Sequence, residues 1–304
     1  LKYKKLFVNG KTIVRLSQYQ IFSKLTRQLA TFKSHVFIFN PVYLLERLNK
    51  LRISNSVPPV HYARSGFSQF RVNYILKENF FSHYDKQGIV NSYYFTALGN
   101  LYYIEEALGM SQSSMPYFNS ENVEIEAGGL LDEMVYNDAE ANWSHRDTLL
   151  DPCFNYADIS IGWTSTKLVL VVGMIGAWVK WRIKPNYSHG IFTMSGETIK
   201  MLPQYVIVFY YHPSEVNPNS IHYNFGRPLF GVVPYPYYLE GIETVRPVRW
   251  VLKENYFDIS FPINVTRGVY TVVIHAKDPR GIVWKPYTNK KVGECNILSY
   301  TFVA

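Results

Sequence analysis

Apolar residues recur at Leu44, Leu45, Leu48 and Leu51 in the stretch that opens at Pro41, the spacing of one helical face, and predict a helix there. Pro58-Pro59 then forces an extended piece, because proline lacks the donor a helix needs and restricts the residue before it. Further helices are predicted over 65–78 and 129–141. After Pro152 the pattern changes, and 159–163 and 168–181 read as paired strands. Past Pro185 helical periodicity disappears, and eleven of the sixteen prolines fall in residues 185–304. Short strands are predicted at 205–211, 230–233, 256–261, 269–275 and 297–303, separated by turn signals such as Asp278-Pro-Arg-Gly281. Strands of that length and spacing point to an immunoglobulin-like β-sandwich. Pro234 and Pro236 mark an edge or a loop. Near the start, two β-prone runs flank Asn9-Gly10, a pair suited to the positive φ angles of a type I′ hairpin turn. A basic amphipathic helix is predicted over 17–34.

These elements divide the 304 residues into a basic arm (1–41), a mixed helical and β segment (42–183) and an all-β segment (184–304), an α+β chain. With 47% hydrophobic and 18% charged residues, the composition forms cores and argues against disorder. The apolar run 168–179 is too short for a membrane span, which needs about 20 residues. Leu1 is not an initiating methionine, and removal of a leader is the expectation. Three Asn-x-Ser/Thr sequons, at Asn142, Asn186 and Asn264, fit an exported glycoprotein, with Asn142 expected to be the least accessible. Cys153 and Cys295 are either a disulfide joining the two halves or two unrelated buried thiols.

The net charge of +8 conceals an asymmetry. Residues 1–60 carry eleven Lys and Arg against Glu46 alone, and residues 78–140 carry eleven acids against Lys86 alone. A basic arm can bind phosphates, but an acidic partner of matching size lies in the same chain. Docking of residues 1–40 onto an acidic face, of its own or of a neighbouring copy, is therefore expected over nucleic-acid binding.

Three pieces of text carry chemistry. One runs from Arg71 through Phe81-Ser-His83 to Gly88. The second is Ser120-Glu-Asn-Val123. The third holds Met134-Val-Tyr-Asn-Asp138, Asn142-Trp-Ser-His-Arg-Asp147, Leu149-Leu-Asp-Pro152 and Ile159-Ser-Ile-Gly162. In order and spacing they resemble the CAP superfamily (cysteine-rich secretory, antigen 5 and pathogenesis-related proteins) in its microbial, SCP-like form. The resemblance implies an α/β/α sandwich over 42–183 whose cleft presents two histidines and two acids. It places His83, Glu121 and His145 at three of those positions and leaves Asp138 or Glu140 for the fourth. Such a set can hold a divalent metal, zinc suiting imidazole best, or move protons near neutral pH. Neither Ser82 nor Ser144 is a convincing nucleophile, since adjacent residues rarely present both side chains to one point.

The expected function is an extracellular or cell-surface binding or adhesion module, taking a surface polymer, lipid or peptide, and not an enzyme. A structural subunit of a filament built through the basic arm is the alternative. A metal-dependent hydrolase using His83, Glu121 and His145 is a further one. Tyr84, Tyr93 and Tyr94 are candidates to fill the cleft.

Overall fold

The computed structural model describes residues 41–220 and 223–304, together with the strands β1 (Leu6–Val8) and β2 (Lys11–Ile13). These two strands pair antiparallel with Val8 opposite Lys11, so two residues connect them, as the hairpin reading requires. Asn9 and Gly10, the helix predicted over 17–34, His35 and His222 lie outside the described residues. Residues 40–304 form one compact unit.

That unit mixes helices with three sheets. Its first half contains α1 (Val42–Ser54), β3 (His61–Tyr62), α2 (Phe67–Glu78), α3 (Asn91–Ala97), β4 (Tyr103–Gln112), α4 (Val123–Tyr136), a 3-10 turn (Asp138–Ala141), α5 (Ser144–Leu150), β5 (Tyr156–Thr164) and β6 (Lys167–Gly176). The sheet runs β3-β5-β6-β4 and is antiparallel except for β3 against β5. Every residue of β6 after Lys167 is buried, which requires cover on both faces. On one face, Val72 and Ile75 of α2 pack with Leu108, Val169 and Val171. On the other, the next residue along β4, Gly109, points at Leu130 and Met134 of α4. The layers are therefore helix, sheet, helix. Gly162 lets α2 approach closely, since a Cβ there would lie 2.3 Å from Val72.

The second half consists of β7 (Val179–Ser188), β8 (Ile191–Thr198), β9 (Leu202–Tyr211), β10 (Arg227–Val232), β11 (Thr244–Val245), β12 (Arg249–Lys253), β13 (Tyr256–Pro262), β14 (Val269–Lys277) and β15 (Glu294–Val303). They form two sheets, β11-β10-β9-β14-β15 and β12-β13-β8-β7. Alternate residues point inward, as in β13, where Phe257, Ile259 and Phe261 are buried and their neighbours are not. They meet Val206, Val208, Val272 and Ile274 of the facing sheet in one core, so the sheets pack face to face.

Two boundaries move relative to expectation. The expected pairing of 159–163 with the following strand is present, Trp163 lying opposite Leu168, but β6 ends at Gly176 and not at 181, and β7 starts the next sheet at Val179, five residues before the expected division at 184. The helix expected over 129–141 starts at Val123, and Gly128 lies within it, against Arg47 and Tyr43 of α1. Cys153 and Cys295 form a disulfide that ties the loop after α5 to β15. All three sequons are exposed, including Asn142, which was expected to be the least accessible.

Candidate functional site

α2 ends in a tight turn, with Asn79 in the left-handed region, and the chain then delivers His83 to the edge of the sheet. Here His83 meets Glu106 of β4: Nδ1 lies 2.9 Å from Oε1. The same carboxylate accepts from Arg71 Nε on α2 at 2.7 Å and from Asn91 Nδ2 on α3 at 2.9 Å. Arg71 also donates to the Ser82 carbonyl, which fixes the turn carrying the histidine. The side chains of Arg71 and Glu106 are both fully buried. Burial pushes Glu106 up, but Arg71 and then His83 outweigh it, and its pKa falls to about 2. An ionised carboxylate only accepts, so His83 donates from Nδ1, and Nε2 is the ring atom left for a ligand. Burial holds the His83 pKa down against the pull of Glu106, which favours the neutral ring.

The second pair is built by the reversal after α4. Asn142 and Trp143 adopt φ of 51° and 62°, which folds α5 back over the 3-10 turn. Asp138 accepts the Arg146 backbone N–H at 3.0 Å, satisfying a free donor at the start of α5, and its other oxygen lies 2.7 Å from His145 Nδ1. One aspartate thus secures the helix and orients the imidazole.

Both imidazoles line a cavity of about 310 Å³, with Glu105, Glu106, Ser144 and Thr148 on the same walls. The remaining wall comes from the second half of the chain. Tyr223 lays its ring 4.5 Å from that of His83 and accepts from the Glu106 backbone N–H at 3.3 Å. Asn224 and Phe225 follow it, and Thr288 and Lys290 come from the connection between β14 and β15. That connection is pinned to α5. Asp147 accepts the backbone N–H groups of Tyr287 at 2.8 Å and Thr288 at 2.6 Å, and the Arg146 guanidinium stacks 3.9 Å from the Tyr287 ring centroid. Lys290 reaches Glu105 at 2.6 Å and Asp151 at 2.8 Å.

Of the residues expected at the cleft, His83 and His145 line one cavity, and Asp138 stands beside His145. Glu121 does not join them. It sits exposed on the turn before α4, its backbone N–H donating to Asn119 Oδ1. Glu140 is exposed in the 3-10 turn, which leaves Asp138 as the acid beside His145. The carboxylate beside His83 is Glu106, whose only sequence signal was an acidic pair inside an otherwise apolar strand. Tyr84 and Tyr94 pack elsewhere, on Tyr211 and Asp85, and the tyrosines that narrow the cleft are Tyr103 and Tyr223. His61, His189 and His212 do not line the cavity, and His275 stacks on Tyr205 at 4.5 Å with its Nε2 buried and unpartnered.

Among the described residues no group of three or more His, Cys, Asp and Glu side chains is arranged to hold a metal ion. The two carboxylates are spent on orienting the rings, a role that suits outer partners of a metal site, and two imidazole edges remain as direct donors. Among the described residues no helix is long and apolar enough to cross a membrane. No family model and no curated protein matches the chain.

Proposed function

We propose that this chain is an extracellular CAP-type binding module whose cleft takes a small polar ligand between His83 and His145. The observation that carries the reading is the pair of carboxylate-oriented imidazoles on one cavity, His83 with Glu106 and His145 with Asp138. The three-layer first half and the order of the His83 and His145 motifs support the CAP assignment, and the two packed sheets support an immunoglobulin-like second half. Glu106 replaces Glu121 in the proposed cluster. The disulfide supports an oxidising, extracellular setting, because such bonds persist there and are rare in the cytosol.

The cavity volume lies at the lower end of small-molecule sites. Tyr103, Tyr223 and Phe225 line it together with Ser144, Thr148 and Thr288. That combination of aromatic and hydroxyl side chains suits a ligand with one flat face and several hydroxyl or amide groups, the size of a single unit of a surface polymer. A divalent ion would find two protein ligands here, fewer than the three or four of a zinc site, so zinc is proposed as a weak ligand of the same two rings. The test is calorimetric titration of wild type and a His145→Ala variant with Zn²⁺ and with a panel of monosaccharides and amino acids. Binding by one of these probes that is lost in the variant supports the reading. Equal heats for both proteins across the panel contradict it.

A further inference from the structure

Lys290 and Glu105 line both the cleft and a second cavity of about 240 Å³, and there Lys290 contacts Asp151 and Glu105. The three residues come from three separate places, the β14–β15 connection, the loop after α5, and β4. Their side chains are 23%, 10% and 17% exposed. Lys290 Nζ lies 2.8 Å from Asp151 Oδ2, an ion-pair contact that holds the amine beside the carboxyl group. The other Asp151 oxygen, Oδ1, accepts the Cys153 backbone N–H at 2.8 Å, a donor placed where charge develops when that carbon is attacked. Glu105 Oε2 lies 2.6 Å from the same Nζ, positioned to take a proton from it. Phe154 covers the amine, with its ring centroid 5.5 Å away. The disulfide, two residues from Asp151 and five from Lys290, holds both segments in place.

We infer that Lys290 and Asp151 form an intramolecular amide bond, with Glu105 as the proton acceptor, which would join the two halves of the chain beside the disulfide. Glu105 takes a proton from the ammonium. The freed lone pair attacks Cγ of the protonated Asp151 carboxyl, and a C–N bond forms. The C–O bond then breaks, and the departing hydroxyl leaves as water with a second proton from nitrogen. Ammonium, carboxylic acid and carboxylate thus become amide, water and a protonated Glu105, with no change of net charge and no oxidant or cofactor.

Burial favours the neutral acid at Asp151, with Glu105 raising it further against the pull of Lys290. Burial disfavours the Lys290 ammonium, but Asp151 and Glu105 outweigh it and its pKa is raised. The reactive neutral amine is therefore a minor species, and closure is slow. Uncatalysed amide formation has a high barrier in dilute water, and groups held in register at effective molarities of about 10⁵ M or more lower it.

The experiment is intact-mass spectrometry of the full chain, unfolded and reduced, fresh and after weeks at neutral pH, followed by fragmentation of the digested protein. The expected result is a species lighter by one water, with a branched peptide joining residues 151 and 290. Mapping is required because a succinimide elsewhere also loses water. Lys290→Arg keeps the positive charge and should keep the full mass. Folded Glu105→Gln should do the same, or form the link at least tenfold more slowly. Full mass for aged wild type, or loss of water mapped to other residues, overturns the proposal. Linking in Glu105→Gln at the wild-type rate overturns the assignment of Glu105.

Discussion

Glu106 accepts from Arg71, Asn91 and His83 at one point, and this single carboxylate makes a buried guanidinium tolerable. Replacing it by glutamine leaves the Arg71 charge without its counterion. Glu106→Gln should cost about 3–5 kcal/mol in urea unfolding, the penalty for breaking a buried pair from one side. A loss below about 1 kcal/mol would contradict the burial described here. Titration makes a second prediction. The His275 pKa falls from 6.5 to about 4, chiefly through burial, with Lys291 adding to it, so the unfolded chain binds a proton there before the folded one does. Stability should therefore drop as the pH falls from about 6.5 to about 4. Glu106, depressed from 4.5 to about 2, adds a further loss below that window as it is protonated. His275→Gln should make the first limb shallower, leaving the share of His83, whose pKa burial also holds down, and should leave the second, read from melting temperature against pH. His83 and His145 were legible in the sequence because each sits in a motif that also encodes its own turn. Glu106 was not, because an acid paired across 35 residues leaves no local trace.

At the scale of elements, glycines act through what lies opposite them. Gly162→Ala should push α2 off β5 and destabilise by about 1–3 kcal/mol, the usual cost of overpacking. Gly129→Ala, on the same scale, should stabilise by about 0.5–1 kcal/mol, since a Cβ there meets nothing within 4 Å and the position is helical. Paired denaturation curves of the two variants check the layer arrangement. The sequence exposed α1, α2 and the later strands through their periodicity. It concealed β4 and the early part of α4. In β4, Leu108 faces α2 while Gly109 faces α4, so both sides are covered and no alternation appears. In α4, the helix was expected to begin only at residue 129, although Gly128 lies inside it and is the seat of the α1 contact. Strand β7 was merged with β6 because only Ala177 and Trp178 separate an apolar run from the next.

For the whole molecule, the two halves share a cleft and a covalent tie. The Cys153–Cys295 bond spans 142 residues, and replacing both cysteines by serine should cost about 2–5 kcal/mol, seen as a lower melting temperature that reductant no longer changes. The charge pattern of the chain overstated its acidic face. Asp85, Glu106 and Asp138 are buried, Asp132 pairs with Arg47, and Glu105 pairs with Lys290, which leaves a smaller surface for a basic arm to meet. If His83 and His145 act as one site walled in part by Tyr223 and Lys290, a Zn²⁺ titration followed through the imidazole ring resonances should show it, with exposed His189 as the internal reference. The His83 and His145 signals should shift together, before His189 responds, and Asp138→Asn should weaken both shifts. Independent shifts of the two rings, or shifts only where His189 also responds, would contradict it.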